Sequence, residues 1–137
     1  MPLDFFMPMI PPTVTHQEKQ VRVIGGKPRF YEPAKLKAAR QKITAHLAKH
    51  RPAKPIRRPI PIWLDVEWRF PLMPGFVDGQ LKTTRPDTDN LEKLLKDCMT
   101  TVGFWEDDAQ VSIEFVSKCY ARIPGIHIRV IELPCRM

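Results

Sequence analysis

Arg85-Pro86-Asp87-Thr88-Asp89-Asn90-Leu91-Glu92-Lys93, with the Asp107-Asp108 pair that follows it, is the stretch around which this chain is organised. Asp87 and Asp89 are two residues apart, so an extended backbone would point both carboxylates to one side. From Asn90 to Val102 the sequence predicts a helix. Leu91, Leu94, Leu95, Cys98, Met99 and Val102 recur at helical spacing and form one apolar stripe. Asp89 suits the N-cap, and Glu92, three positions on, completes the pattern of a capping box. Lys93 lies one turn beyond Asp89 on the same face. The helix start can therefore present carboxylates and an ammonium to a common point.

The return path is long enough to bring Asp108 back to that point. The helix carries the chain roughly 18–20 Å at about 1.5 Å per residue. Gly103 is a natural C-cap. From Gly103 to Asp108 an extended chain covers about 20 Å at roughly 3.3 Å per residue. Asp87, Asp89 and Asp108 would then meet on oxygen-rich loops, a donor set that suits a hard cation such as Mg²⁺. The competing reading is structural: an Asp at a helix start is more often a cap than a ligand.

Working outward, Ile62 to Phe70 is the clearest strand. Ile62, Leu64, Val66, Trp68 and Phe70 alternate with Trp63, Asp65, Glu67 and Arg69. Alternation makes Asp65 and Glu67 solvent-facing rather than metal ligands. Upstream, Leu3 to Ile10 predicts a first strand, which Pro8 either confines to an edge or breaks, and Pro11-Pro12-Thr13 ends it. Val21–Ile24 and Pro28–Tyr31 flank Gly25-Gly26-Lys27 as a hairpin carrying Arg22, Lys27 and Arg29. Pro33 opens a helix to about His50, with Leu36, Ala39, Ile43 and Leu47 inward and Lys35, Lys37, Arg40, Lys42 and Lys49 around the rest. Arg51 to Pro61 is a stiff basic connector containing Arg57 and Arg58. Pro71 to Thr84 is a long loop with Asp78 and Lys82, a length associated with function or mobility. Val111–Cys119 and Ile126–Leu133 predict two last strands joined around Pro124-Gly125. The fold class is α/β: one small domain over residues 1–137, with a mixed or antiparallel sheet packed against two main helices.

The 137 residues carry a formal net charge of +7, which points to a polyanionic partner. Residues 1–58 hold 13 Lys and Arg against Asp4, Glu18 and Glu32, a net of +10; the remainder holds 9 against 12 acids, a net of −3. The first half reads as a binding surface and the second half carries the acids. Arg22, Lys27, Arg29, Lys37, Arg40, Arg57, Arg58, Lys82 and Arg85 are the candidate DNA contacts. Cys98, Cys119 and Cys135 show neither a disulfide framework nor zinc spacing. His46 and His50 sit four apart without a third ligand nearby in sequence. No signal peptide and no run of membrane-spanning length is read, and a reduced cytoplasmic setting is the expectation.

The segments Asp87-Thr88-Asp89-Asn90-Leu91-Glu92-Lys93 and Gly103-Phe104-Trp105-Glu106-Asp107-Asp108-Ala109-Gln110-Val111 resemble the RusA-type Holliday junction resolvases, with the pattern D-x-D-N-L-x-K, a helix, then G-x-x-x-D-D-x-Q-V. The resemblance extends to the Pro11-Pro12-Thr13 turn; only residues 85–118 carry it specifically. It implies a homodimer that cuts four-way DNA junctions with Mg²⁺, or Mn²⁺ as a substitute. It assigns catalysis to Asp87, Asp89, Asp108 and Lys93, the three aspartates as metal ligands, and gives Asp107 no catalytic role. Thr15 departs from the Asn of many relatives, and the Gly75–Lys82 insert departs from the shortest members; both bear on junction contacts more than on chemistry. The rival readings are a non-catalytic module for branched DNA and an assembly protein with an acidic partner. Metal-dependent nicking separates the enzyme from both.

Overall fold

The computed structural model describes residues 2–15, 20–31 and 33–136. Strand β1 spans Leu3–Pro8, the hairpin strands β2 and β3 span Gln20–Ile24 and Lys27–Tyr31, and helix α1 spans Ala34–Ala48. Strand β4 spans Ile62–Pro71, helix α2 Thr88–Val102, β5 Val111–Ala121 and β6 Gly125–Glu132. The four long strands form a mixed sheet in the order β1-β6-β4-β5. β4 and β5 run parallel, as the intervening α2 crossover requires. β6 is antiparallel to both β1 and β4. The last two strands therefore do not pair with each other; β4 lies between them. β4 and β6 thus pair on both sides, and β5 forms the second edge of the sheet.

The alternation of β4 decides the layering. Ile62, Leu64, Val66 and Trp68 are fully buried, and Phe70 nearly so. They share one core with Leu36, Ile43 and Leu47 of α1 and with Leu91, Leu94, Leu95, Cys98 and Met99 of α2. The opposite face carries Trp63, Asp65, Glu67 and Arg69, each half-buried. Asp65 pairs with Arg129 at 3.7 Å and Glu67 pairs with Arg69, so both acids serve the sheet face. β1 is an edge strand, paired only with β6, the place Pro8 allows. Gly25 and Gly26 both take positive φ, 60° and 75°, as the two-residue hairpin turn demands.

The long loop after β4 is not free chain. Gly79 N–H donates to Tyr120 O at 2.7 Å, Tyr120 N–H to Gln80 O at 2.9 Å, and Lys82 N–H to Lys118 O at 2.9 Å. The loop thus covers the C-terminal end of β5's open edge, from Lys118 to Tyr120. It then delivers the chain to α2.

Candidate active site

Helix α2 starts earlier than its apolar stripe implies. Leu91 N–H donates to Asp87 O at 3.1 Å, which makes Asp87 the N-cap and places Asp89 in the first turn. Asp89 is therefore not the cap. Asp87, exposed, makes no capping bond through its side chain. Nor does Glu92 complete a capping box. It turns inward, is 2% exposed, and accepts a hydrogen bond from Trp68 Nε1 at 2.9 Å. At the other end Gly103 has φ 102° and caps the helix as the sequence indicates.

The return from α2 runs along the basic connector. Ile56 N–H donates to Phe104 O at 3.0 Å, and Glu106 N–H to Ile56 O at 3.2 Å. A short 3-10 turn over Asp108–Gln110 follows. Asp107 caps it, accepting from Ala109 N–H at 2.9 Å and from Arg58 Nη2 at 3.2 Å. The Ala109 bond first, and Arg58 beside it, hold the Asp107 carboxyl below the usual carboxylate range. Gln110 fixes the turn to the connector. Its Oε1 accepts from the N–H groups of Glu106 and Asp107 at 3.1 and 2.9 Å. Its Nε2 donates to the carbonyls of Ile56, Arg57 and Ile60 at 3.3, 3.1 and 3.0 Å.

Between α2, this turn and β5 lies an open groove of about 530 Å³. Its lining includes Asp89, Glu92, Lys93, Lys96, Asp108 and Glu114. Asp89, Glu92, Lys93 and Lys96 rise from one face of α2 at the three-and-four spacing. Asp108 comes from beyond the helix and Glu114 from β5. Lys96 pairs with Glu114 at 3.2 Å across the groove. The fold thus brings Asp89, Lys93 and Asp108 to one groove, while Asp87 stands at the helix start outside its lining. Lys118 anchors the segment before Asp87, its Nζ donating to Thr84 O at 2.6 Å and Pro86 O at 2.7 Å.

Among the described residues, no three His, Cys, Asp or Glu side chains stand close enough together to form a finished metal cage. The donors that line the groove are all oxygens, which suits a hard ion. Such an ion takes one or two carboxylates and fills its remaining positions with water and substrate phosphate. Glu92 Oε2 is buried and takes no hydrogen bond from an N–H group; burial foremost, and the neighbouring Glu114 carboxyl that hydrogen-bonds it, push the Glu92 carboxyl up to about 9. The residues present therefore fit a hard divalent cation without a preformed cage.

The candidate DNA contacts divide by what they already touch. Lys27, Lys37, Arg57 and Arg85 are exposed. Arg58 is exposed but paired with Asp107, and Arg40 approaches Asp97 at 4.0 Å. Lys82 is half-buried, donating to Thr84 Oγ1 at 2.7 Å and lying over the Phe70 and Tyr120 rings. Arg22 and Arg29 face each other across the hairpin, but their side chains lie outside the described residues. Sequence reasoning missed Gln110, Glu114, Lys96 and Lys118 as parts of this site. Lys96, one further turn beyond Lys93, was the one that helical spacing could have found.

A family model for endodeoxyribonuclease RusA matches residues 9–131. A crossover junction endodeoxyribonuclease of Lactococcus phage r1t is 32% identical over 97 residues, covering 71% of this chain and 72% of the relative. An uncharacterized protein, YqaN, of Bacillus subtilis strain 168 is 32% identical over 120 residues, covering 79% and 82%. The acids and the lysine of the groove lie inside the matched region, and the chain belongs to the RusA endodeoxyribonuclease family.

Proposed function

We propose that this protein is a homodimeric, Mg²⁺-dependent nuclease that resolves four-way DNA junctions by paired phosphodiester hydrolysis, in recombination and repair. The observation that carries the reading is the shared groove of Asp89, Lys93 and Asp108, contributed from both ends of the α2 segment in a chain of net charge +7. A cationic protein has little reason to concentrate acids at one place except to hold a metal. A divalent cation held by Asp89 and Asp108, with water and substrate phosphate filling its remaining positions, would supply an activated water and charge stabilisation at the phosphate.

The protein's own groups do the rest. Lys93, one turn from Asp89, stabilises charge developing on the phosphate oxygens. Arg57, Lys37, Lys27 and Arg85 are free of internal ion pairs in the described structure and bind backbone phosphates. A four-way junction has two-fold symmetry, so an isologous dimer sets two identical grooves on it.

The deciding experiment is cleavage of a synthetic junction with Mg²⁺, with Mn²⁺ and with chelator, alongside sedimentation of the protein alone and on the junction. Paired, metal-dependent nicks by a dimer are expected. Tight junction binding without nicking would leave a non-catalytic branched-DNA module. A monomer that still makes paired cuts would overturn the dimer.

A further inference from the structure

We propose that Lys118 is a positioning residue for the reaction: it fixes the start of α2, and with it Asp89, against β5. This rests on the nuclease reading and adds to it a residue that need not touch DNA. β5 presents every second residue to the groove. Glu114 and Val116 line it, and Lys118 is next on that face, where α2 begins. In the sheet Lys118 stands beside Trp68, which is buried in the core. Its Nζ donates to Thr84 O at 2.6 Å and to Pro86 O at 2.7 Å. Pro86 O belongs to the peptide unit that enters Asp87. Thr84 is held a second time, its Oγ1 accepting from Lys82 Nζ at 2.7 Å. Lys82 N–H in turn donates to Lys118 O at 2.9 Å. One strand residue ties down the approach to α2 through both its backbone and its side chain.

The ordinary role of such a lysine is to satisfy loop carbonyls. Two observations give it more. A helix start is commonly anchored by its N-cap side chain, which accepts from a backbone N–H of the first turn. Asp87 is the N-cap and makes no such bond. The anchor comes from β5 instead, and the exposed Asp87 carboxylate is not committed to the cap. Second, the two sides of the site are held separately. Asp108 is held through Gln110 and the connector. Asp89 follows the first turn, whose opening bond runs from Leu91 N–H to Asp87 O at 3.1 Å. From Asn90 the helix is held by burial, but Asp87 and Asp89 are exposed and Thr88 half-buried. The spacing of Asp89 from Asp108 therefore depends on what grips the chain just ahead of α2. Charge-assisted hydrogen bonds are the strong kind for that purpose. A misplacement of about 1 Å costs on the order of a hundredfold in rate, so a loosened helix start should slow cleavage and spare binding.

The test compares the parent with Lys118→Met, which keeps an unbranched stem without the charge, and Lys118→Arg, which restores a charged donor. Nicking of a synthetic junction is followed with Mg²⁺ at saturating protein, and junction affinity is measured separately in chelator. Lys118→Met should nick at least about tenfold more slowly while binding within about twofold of the parent, the split expected of a group that acts on the chemical step alone. Lys118→Arg should recover part of the rate. In the DNA-free protein, hydrogen exchange at the Leu91 amide should quicken in Lys118→Met, with that of Met99, deep in the helix, unchanged. Weaker junction binding with a parent rate at saturation would make Lys118 a DNA contact and overturn the proposal. So would parent-like nicking by Lys118→Met, unchanged exchange at Leu91, or Lys118→Arg no faster than Lys118→Met. A parent that nicks no junction would remove the nuclease reading instead, and exchange at Leu91 would then decide alone whether Lys118 holds the helix start. Should Lys118→Met fail to fold, as read by circular dichroism, Lys118→Gln takes its place in the same comparisons.

Discussion

Asp107 uses both carboxylate oxygens inside the fold, one on Ala109 N–H and one on Arg58, whereas Asp108 next to it lines the groove. The two substitutions should therefore separate. Asp108→Asn should lower junction nicking by orders of magnitude with binding kept, as expected when metal activation of water is impaired. Asp107→Asn should nick within a few-fold of the parent rate. Asp89→Asn should behave like Asp108→Asn. It sits in the first helical turn, so loss of its charge costs only about 0.3–1 kcal/mol of dipole stabilisation. Equal nicking rates for parent and Asp89→Asn would remove Asp89 from the site. Glu92 gives a prediction of a different kind, read in stability. Its carboxyl is raised from 4.5 to about 9. The unfolded chain releases that proton at lower pH than the folded chain does. The favourable contribution is thus complete at low pH and is lost as pH climbs from about 4.5 to about 9. The limiting slope is about 1.4 kcal/mol per pH unit. Glu92→Gln, which cannot titrate, should flatten the fall of Tm over that window in metal-free buffer. Parallel Tm profiles would show that Glu92 is not held neutral.

At the scale of elements, periodicity was the legible part. β4 and the stripe of α2 follow from spacing alone, because their side chains have only one buried face to choose. So does the C-cap, where Gly103 takes a backbone angle that other residues avoid. What spacing could not reveal was how elements meet. The pairing of β6 with β4 rather than β5 is a long-range choice. The start of α2 is another: Glu92 matches a capping box in sequence, but Trp68, on a neighbouring strand, takes it instead. The loop against β5 is a third, since its bonds are from backbone to backbone and leave no residue pattern. Gln110 depends on the same kind of long-range meeting. It joins the Asp107-Asp108 turn to Ile56, Arg57 and Ile60, about fifty residues away in sequence. Gln110→Ala would leave several carbonyls and N–H groups without their partner, at about 1–3 kcal/mol for each that stays buried. A clear fall in Tm is expected. Nicking should fall further than junction binding, because Asp108 loses its anchor. An unchanged Tm would mean that the turn is held without Gln110.

At the scale of the whole molecule, charge is divided along the chain, and the proposed reading has one part bind DNA and another cut it. The first 58 residues carry the excess of cations, and the acids cluster later. The connector that carries Arg57 and Arg58 is bonded to the turn that carries Asp108, so a strand bound at the connector would lie beside the groove. Phosphate binding of this kind releases counterions. Each contact contributes about 0.9 to the log–log slope of affinity against salt on duplex DNA. Lys37 and Arg57 are exposed, whereas Arg58 already has Asp107 and Lys82 has Thr84. Replacing Lys37 and Arg57 together with Gln should therefore flatten the slope by about 1.8 if both touch phosphate. Replacing Arg58 should change it less, because Asp107 already neutralises Arg58, which leaves it less charge to place on a phosphate. The measurement is junction affinity in chelator across a salt series, so that cleavage does not intervene. A slope unaltered by the double substitution would move the binding surface elsewhere, and a parent affinity indifferent to salt would deny that charge drives binding at all.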